Sequence, residues 1–389
     1  MEEVALVRYV QINSVPNGST GSVMRRVEAE RLEAGDECWR MWGRGRAAES
    51  GHEFNYGTGA GVYLDALRTR LDGRAGFHSR AATRRLLEKL DDIRPDVVHL
   101  HNLHGYHVHV GMLFDWLATH DCRVKWTLHD CWAFTGHCTY FTYVGCERWR
   151  DGSCGEGCPQ LGTYPKTVSR SGCARSFEDK RRVFNALPAD RMTLITPSRW
   201  LAGLVEESFL SKYPVEVRHN TIDTAVFRPT PSDFRERHGV GDRFTVLGVA
   251  SPWTERKGLP DFLRFADDLD GHYAVVLVGL SKRQIKSMPA SGSKGCRVVA
   301  LPRTSNSAEL AEVYTAADVF FNPTREDNYP TVNLEAEACG TPVVTYNVGG
   351  CSETVGRADS CVVTGYDELL LSIRRGMAER LGGVADEYR

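Results

Sequence analysis

Residues 318–346 read DVFFNPTREDNYPTVNLEAEACGTPVVTY, and this stretch decides the fold. The runs 318–322 and 342–346 are short and apolar, as strands covered on both faces of a parallel sheet are. The spacing between them predicts a helix over 331–339, with Pro330 at its first position and Gly340 beyond its end. Strand, helix and strand in this order indicate one unit of a parallel α/β sheet.

The same alternation continues along the chain. Further strands are predicted at 4–12, 37–42, 96–101, 123–129, 192–196, 215–219, 244–250, 273–279, 297–301 and 361–363. Helices are predicted at 20–32, 81–90, 110–118, 198–208, 260–266 and 308–315. Residues 223–242 carry prolines and glycines without a clear period, which predicts a linker. The predicted fold class is therefore α/β, with two Rossmann-like, doubly wound domains at 1–222 and 223–389 that face a central cleft.

The amino-acid composition excludes several classes of protein for this chain. The 389 residues are 42% hydrophobic and 25% charged, which excludes a disordered or collagen-like chain. A net charge of −2 gives no general attraction for nucleic acid. No apolar run reaches the ~18–20 residues of a membrane span, and the acidic start lacks signal-peptide features, so a cytoplasmic protein is expected. Its 12 cysteines then favour thiols or a metal over a disulfide framework.

The segment after the first quoted strand carries the acidic residues Glu326, Asp327 and Glu335. Asp327 or Asn328 suits the N-cap of the predicted helix. The free N–H groups and the dipole at this helix start suit a diphosphate near residues 329–332. Glu335 follows Asp327 by about two helical turns, so the two carboxylates would meet different parts of one ligand.

This segment resembles the acidic signature of the retaining GT-B glycosyltransferases of sequence family 4. The signature is a carboxylate, seven residues, a Glu and then Ala-x-Ala-Cys-Gly-Thr-Pro, which here are Asp327, Glu335 and residues 336–342. The resemblance implies that Glu335 binds the ribose of a nucleotide sugar and that Asp327 holds a donor-sugar hydroxyl. Glu326 is the alternative for this second role. The other implied donor-binding residues are Asn328, Tyr329, Pro330, Thr331 and Val332.

Other positions match the same family. For Lys257, with Arg256 beside it, the match implies that these cations neutralise the donor diphosphate, because fixed cations stabilise a departing phosphate. For the glycine loop with Gly18 and Gly21, the match implies that the backbone of the loop comes close to the donor phosphates and the acceptor. His129 is the last residue of the fourth predicted strand, and the match implies that it contacts the donor sugar. The implied catalytic residues are His129, Asp327, Lys257 and Arg256.

A dense run of histidines precedes His129: His99, His101, His104, His107 and His109. Strand alternation puts His99 and His101 on one face, which favours core or cleft-lining roles over a metal site. His101 and His104 are expected near the acceptor.

A cysteine-rich insert, residues 131–160, interrupts the first domain. Cys138, Cys146, Cys154 and Cys158 suit a tetrahedral structural zinc, with free thiols or disulfides as the alternatives. The start of the insert resembles the colanic-acid, polysaccharide-biosynthesis subgroup of the family. No Asp-x-Asp motif stands where a metal-using transferase holds its donor, so no catalytic cofactor is expected.

A basic stretch covers Arg68, Arg70, Arg74, Arg80, Arg84, Arg85 and Lys89. It indicates either a solvated helix face or a surface that meets anionic lipid head groups or an anionic lipid-linked acceptor.

The resemblance implies transfer of a sugar from a nucleotide-diphosphate sugar to an acceptor hydroxyl, in polysaccharide or glycoconjugate biosynthesis. Its acceptor would be lipid-linked or a small natural-product molecule, with the enzyme cytoplasmic or peripheral on the inner face of the membrane. A different class stays open, a non-catalytic subunit that binds sugar nucleotides. In the implied arrangement residues 1–222 serve the acceptor, residues 223–389 bind the nucleotide sugar, and the last helix packs back on the first domain.

Overall fold

The computed structural model describes residues 6–46 and 51–380. The chain divides into two compact units, Met1–His219 and Asn220–Arg389, whereas the sequence placed the boundary after residue 222. The first residues of the predicted strand 4–12 lie outside the described residues. So does the chain beyond residue 380, and the packing of the last helix on the first domain stays a prediction.

Within the described residues, the first unit is a seven-stranded parallel sheet with helices around it. Its strands are β1 (Arg8–Asn13), β2 (Glu37–Trp42), β3 (Glu53–Asn55), β4 (Val97–Leu100), β5 (Arg123–Thr127), β6 (Met192–Thr196) and β7 (Val215–Val217). Its helices are α1 (Gly18–Glu33), α2 (Gly59–Asp72), α3 (Arg80–Ile93), α4 (Val110–Thr119), α5 (Arg148–Asp151), α6 (Arg170–Phe184) and α7 (Arg199–Glu206). The strand order is β3-β2-β1-β4-β5-β6-β7, and Val10 of β1 lies opposite Trp39 of β2 and Val98 of β4.

The second unit, as described through residue 380, has a six-stranded parallel sheet in the order β10-β9-β8-β11-β12-β13. Its strands are β8 (Phe244–Val249), β9 (Tyr273–Val278), β10 (Arg297–Leu301), β11 (Val319–Asn322), β12 (Val343–Tyr346) and β13 (Cys361–Val363). Its helices are α8 (Phe234–Arg237), α9 (Leu259–Asp268), α10 (Lys282–Ser287), α11 (Ser307–Thr315), α12 (Thr331–Ala338) and α13 (Tyr366–Arg380). The predicted fold class of two doubly wound α/β domains is confirmed.

Burial on both faces explains why the central strands are apolar throughout. All six residues of β9 are buried. Val275 packs in one core with Phe262 of α9, while its neighbour Val276 packs in the opposite core with Tyr314 of α11. Successive strand residues point to opposite faces, so a sheet covered by helices on both sides needs apolar residues at every position.

The chain order reverses once in each sheet. The reversal lies between β1 and β4 in the first unit and between β8 and β11 in the second. Open α/β sheets bind ligands beyond the carboxyl ends of their strands at such a switch point. The loops after these four strands are therefore the expected places for a ligand.

Several elements were not predicted from the sequence, namely β3, α2, α5, α6, α8, α10 and α13. Helix α6 was not predicted because it is mostly polar and basic. Its buried apolar residues include Phe177, Val183 and Phe184. Helix α2 escapes because its apolar side chains point to solvent. Across residues 6–46 and 51–380, no helix combines the length and the apolar character that crossing a membrane requires.

Candidate functional site

Two loops meet at the switch point of the second unit, one after β8 and one after β11. The amide N–H of Arg325 donates to the carbonyl oxygen of Arg256 over 2.7 Å. In the other direction, the guanidinium of Arg256 donates to the carbonyl oxygen of Glu326. The hydroxyl of Thr324 donates to the same Glu326 oxygen over 3.1 Å. These bonds hold the two loops against each other.

Lys257 and Asp327 form an ion pair across these loops. The Lys257 Nζ lies 2.5 Å from Oδ2 of Asp327, and the two side chains are 23% and 13% exposed. Burial opposes ionisation of Asp327, but the positive charges of Lys257 and Arg256 outweigh it and lower the pKa of Asp327. A carboxylate and a cation are therefore both charged and both reachable at this point.

The two neighbouring acidic residues differ in accessibility. Glu326 is fully buried, whereas the side chain of Asp327 keeps some contact with solvent. Of the two carboxylates, Asp327 is therefore the one that a ligand entering between the loops can reach.

A third loop, after β12, closes over Asp327. The N–H of Gly350 donates to the carbonyl oxygen of Asp327 over 3.0 Å. Gly349 has a φ of +57°, and a Cβ at this position would lie 2.1 Å from that same oxygen. The close approach of the two loops therefore requires glycine at position 349.

Replacing Gly349 with alanine is expected to lower the unfolding free energy by about 2–4 kcal/mol, because backbone strain and steric overlap act together. Urea unfolding measures this. Gly365→Ala is the matched control, since a Cβ at Gly365 would meet no atom within 4 Å. Equal stability of the two variants would contradict the required close approach.

The helix after these loops begins at Thr331, where the predicted range 331–339 begins, but its cap differs from the prediction. Helix α12 runs from Thr331 with Pro330 as its N-cap residue, so the predicted N-cap at Asp327 or Asn328 is wrong, as is Pro330 at the first helical position. Asn328 is buried, and the bond from Gly350 holds Asp327 in the loop. Asp327 and Glu335 therefore do not lie two turns apart on one helix. Tyr329 is buried too, while Thr331 and Val332 are partly exposed at the helix start.

Glu335 lies in the middle of α12. Its Oε2 accepts a hydrogen bond from the hydroxyl of Tyr314 over 3.1 Å, and a second bond comes from Thr331. Burial raises the pKa of Glu335, and these two hydrogen bonds offset part of that effect. Tyr314, on α11, was not predicted as a site residue because no motif marks it.

A buried amide network anchors α12 to the sheet. Asn322, at the end of β11, donates to the Oδ1 of Asn333 over 2.9 Å. Asn333 in turn donates to the hydroxyl of Thr354 over 2.8 Å. Sequence reasoning missed this network, although an asparagine at the end of an apolar strand was a usable signal.

In the first unit, the loop after β1 is held by Asn13, whose side chain donates to the carbonyl oxygen of Val15 over 3.0 Å. A Cβ on Gly21 would lie 2.4 Å from the carbonyl oxygen of Pro16, so helix α1 packs tightly on this loop. Gly18 is exposed at the start of α1 with a φ of +78°. Of the two predicted glycines, Gly18 is open to a ligand and Gly21 makes an internal contact.

A row of histidines, His99, His101 and His129, lies in β4 and just after β4 and β5. The Nδ1 of His101 lies 3.2 Å from Nε2 of His129, and its Nε2 lies 3.1 Å from the side-chain oxygen of Gln11. Burial lowers the pKa of His99 to about 3 and that of His129 to about 4, and places the pKa of His101 well below its usual value. These histidines are therefore neutral at pH 7 and make hydrogen bonds rather than ion pairs.

His104 belongs to a separate cluster after β4. Its Nε2 lies 2.8 Å from Oδ2 of Asp130, and its Nδ1 lies 3.3 Å from the hydroxyl of Tyr164. Burial opposes ionisation of Asp130, but His104 outweighs it and lowers the pKa of Asp130. Tyr106, whose ring lies 5.9 Å from that of Tyr164, has a φ of +68°. A strained residue next to a switch point marks a candidate binding position.

The cysteine-rich insert carries the four cysteines of the predicted zinc site. Cys138, Cys146, Cys154 and Cys158 are free thiols. In the part of the chain that the structure describes, no three His, Cys, Asp or Glu side chains are arranged to hold a metal ion. The described residues therefore give the structural zinc no geometric support, and it stays a prediction.

The basic stretch does not form one solvated face. Arg74 pairs with Asp179 over 2.6 Å, Arg85 donates to the carbonyl oxygen of Tyr56, and Lys89 lies over the ring of Trp39. The exposed members are Arg68, Arg70, Arg80 and Arg84.

Comparison with known proteins places the second unit in a family. Residues 243–376 match the family described as glycosyl transferases group 1. The chain is 26% identical to a putative colanic acid biosynthesis glycosyl transferase, WcaC, of Escherichia coli, over 71% of this chain and 66% of that protein. It is 30% identical to a GDP-mannose-dependent alpha-(1-6)-phosphatidylinositol monomannoside mannosyltransferase of Mycolicibacterium smegmatis, over 52% of this chain and 58% of that protein. The chain thus spans about two thirds or less of these relatives.

Two solved structures share the fold over nearly the whole chain. The sucrose-phosphate synthase of Thermosynechococcus elongatus has a TM-score of 0.66 at 15% identity, over 95% of this chain and 90% of that one. Anabaena HepE in complex with UDP has a TM-score of 0.62 at 14% identity, over 97% and 91%. Residues 243–376 are therefore a glycosyl transferases group 1 domain, and the chain has the two-domain fold of the GT-B glycosyltransferases.

Proposed function

We propose that the chain is a retaining glycosyltransferase that moves a sugar from a nucleotide-diphosphate sugar to an acceptor hydroxyl. One observation carries the proposal: the Lys257–Asp327 ion pair lies at the switch point of the group 1 domain, just before the start of α12. This combination suits a ligand with a diphosphate at one end and sugar hydroxyls at the other. The complex of HepE with UDP supports such a ligand for the same fold.

The second unit supplies the donor site in this proposal. Lys257, Arg256 and the N–H groups at the start of α12 bind the diphosphate. Glu335 accepts hydrogen bonds from the ribose hydroxyls, and Asp327 accepts one from the sugar. The buried residues Glu326, Asn328, Tyr329 and Pro330 shape the loop, and Thr331 and Val332 form the first turn of the helix.

The first unit supplies the Gly18–Gly21 loop and His129. The low pKa of His129 keeps its ring neutral, so we assign it a hydrogen bond with a sugar hydroxyl rather than proton transfer.

In the proposed reaction the bond between the anomeric carbon and the diphosphate oxygen breaks. The acceptor oxygen bonds to that carbon from the same face, and the departing diphosphate takes the acceptor proton. Negative charge grows on the diphosphate as the bond breaks. Lys257 and Arg256 therefore stabilise the transition state more than the bound donor. No metal or organic cofactor enters this scheme.

We place the product in polysaccharide or glycoconjugate synthesis on the cytoplasmic side of the membrane, with a lipid-linked acceptor. Two relatives support this assignment, one named for colanic acid biosynthesis and one for a phosphatidylinositol mannoside. The cluster of His104, Tyr106 and Tyr164 at the first switch point is the proposed acceptor position.

Thermal shift with UDP, GDP, ADP and dTDP tests the donor site. We expect one nucleotide at millimolar concentration to raise Tm by several degrees, since a ligand that binds only the folded state stabilises it. No shift with any of the four would contradict the proposal and favour a different role for the fold.

Glu335→Gln sharpens this test. Charged hydrogen bonds contribute roughly 1.5–3 kcal/mol each, so we expect affinity for the selected nucleotide to fall about 10- to 100-fold. Without nucleotide, Tm should stay the same or rise, because burial already disfavours the charge on Glu335. Glu379→Gln, at an exposed position of α13, is the matched control and should keep the full shift.

A further inference from the structure

Helix α2 buries two polar residues and exposes its large apolar side chains. Its buried residues are Asp65 and Thr69. The large apolar residues of α2 are exposed: Tyr63 by 71%, Leu64 by 50%, Leu67 by 46% and Leu71 by 64%. A surface helix normally buries its apolar side, so the fold of this chain does not account for these four residues.

The polar side of α2 is fully used within the first unit. The hydroxyl of Thr69 donates to Oδ1 of Asp65 over 3.1 Å, and the N–H of Ser79 donates to Oδ2 of Asp65 over 3.2 Å. The hydroxyl of Ser79 lies 3.2 Å from the carbonyl oxygen of Tyr106. These bonds fix the rotation of α2 about its axis and link it to the loop after β4.

The apolar residues form one stripe. At about 100° per residue, Tyr63, Leu64, Leu67 and Leu71 fall within roughly 100° of the helix circumference. We call these four residues the outer face of α2. Val168, which is 70% exposed, donates its N–H to the carbonyl oxygen of Arg70 over 2.9 Å and so extends the apolar surface at the end of the helix.

Arginines border this stripe on both sides. On the same helical projection Arg70 lies beside Tyr63 at one edge, and Arg68 lies beside Leu64 at the other. Both arginines are exposed, whereas Asp72, whose side chain is 43% exposed, lies on the opposite side of the helical projection and 3.1 Å from His78. An apolar stripe between cations is the pattern of a helix that lies in the plane of a membrane surface.

We propose that the outer face of α2 lies on an anionic membrane surface, with the leucines among the acyl chains and Arg68 and Arg70 at the lipid phosphates. A second copy of this chain fits less well, because pairing two such faces would bring four arginines together. Binding of α2 to a membrane does not depend on the proposed function. What this binding achieves does rest on that function. The hydrogen bonds from Asp65 through Ser79 to the loop of Tyr106 would bring a lipid-linked acceptor to the proposed acceptor position.

Vesicle flotation of the full chain tests the proposal. The probe is vesicles of phosphatidylcholine and phosphatidylglycerol in a two-to-one ratio, compared with phosphatidylcholine alone. We expect binding to the anionic vesicles, weakened about 25-fold by Arg68→Gln with Arg70→Gln, since each arginine near such a surface contributes about fivefold. Leu67→Ser with Leu71→Ser should weaken binding at least about tenfold.

The controls are Leu32→Ser and Leu371→Ser, which replace leucines of similar exposure on α1 and α13 and should not change flotation. Absence of binding by the parent chain, or unchanged binding by the Leu67→Ser, Leu71→Ser variant, would overturn the proposal. If the parent chain does not float but forms a dimer, and the Leu67→Ser, Leu71→Ser variant is a monomer, the outer face of α2 would bind a second copy of the chain. The nucleotide thermal shift is measured on every variant. If no nucleotide shifts Tm while flotation is normal, the proposed donor site would be rejected and the proposed membrane-binding surface would be retained.

Discussion

Replacing Lys257 with methionine is expected to lower kcat by about 100- to 1,000-fold, the usual cost of removing one fixed group that stabilises transition-state charge. The ammonium lies 2.5 Å from Asp327 in a part-buried site, so its field acts where water screens it weakly. Methionine keeps the unbranched side chain up to the ε position and removes the charged ammonium group. Release of nucleoside diphosphate, from the donor that the thermal shifts select, measures the effect.

A loss of activity alone would not separate charge stabilisation from structural damage, because Lys257→Met also leaves Asp327 without its partner. Adding Asp327→Asn removes the unpaired carboxylate. We expect this double variant to recover the thermal stability of the parent and to stay inactive. Recovery of turnover in it would show that Lys257 only balances Asp327. Lys286→Met, at an exposed position of α10, is the control and should keep full turnover.

The fold was largely predictable because burial and sequence pattern agree in a doubly wound sheet. Strands in such a sheet are mostly apolar, so runs such as 192–196 and 297–301 were predicted with the bounds that the structure has. Helix α2 breaks that agreement. Its outward leucines and inward Asp65 carry no signal of a helix packed on the core, and the prediction failed there for the reason that makes the helix interesting.

The candidate site was predictable as a set of residues but not as a geometry. The family resemblance pointed to Lys257, Asp327 and Glu335, while their spacing placed the last two on one helix. The position of Asp327 depends instead on Gly349 and Gly350, which come from a loop about twenty residues later. Contacts between loops that follow different strands are set by sheet order, which a single sequence does not give.

Buried charge was the least predictable feature. Lys180 is fully buried, donates to the carbonyl oxygen of Trp132 over 2.7 Å and lies over its ring. Burial lowers its pKa to about 7. In the sequence it is one lysine in a basic segment that reads as solvent-exposed. The enclosing contacts come from the cysteine-rich insert, whose path could not be predicted because it has no regular period.

Acidification is expected to destabilise the first unit steeply between pH 6.5 and pH 4. His99, His101 and His107 are each 1% exposed. Burial lowers the pKa of His99 and His107 to about 3, and that of His101 well below its usual value. The folded unit excludes protons that the unfolded chain takes up near pH 6.5. The stability that these neutral histidines represent is therefore complete above pH 6.5 and is lost as the pH falls toward their folded pKa values.

Each such histidine lowers the unfolding free energy by up to about 1.4 kcal/mol per pH unit, so the three together give a slope of roughly 4 kcal/mol per pH unit. Asp65 acts in the opposite direction, because burial raises its pKa and the folded unit takes up that proton first. The net slope should therefore stay below this value and be steepest near pH 5, where the unfolded histidines are almost fully protonated.

Urea unfolding followed by tryptophan fluorescence measures this slope, since Trp253 is the only one of the 8 tryptophans beyond residue 219 and the signal reports the first unit. His99→Asn lowers stability at every pH, because it breaks the bonds to Tyr9 and Thr127. What identifies the titration is the slope, which should decrease by about 1.4 kcal/mol per pH unit in this variant. His272→Gln, 79% exposed in the second unit, should leave the slope unchanged. Stability that stays level from pH 7 to pH 5 would mean that water reaches these histidines and that the row is protonated in the folded unit. The hydrogen-bonding role proposed for His129 would then have to be replaced by that of a cation.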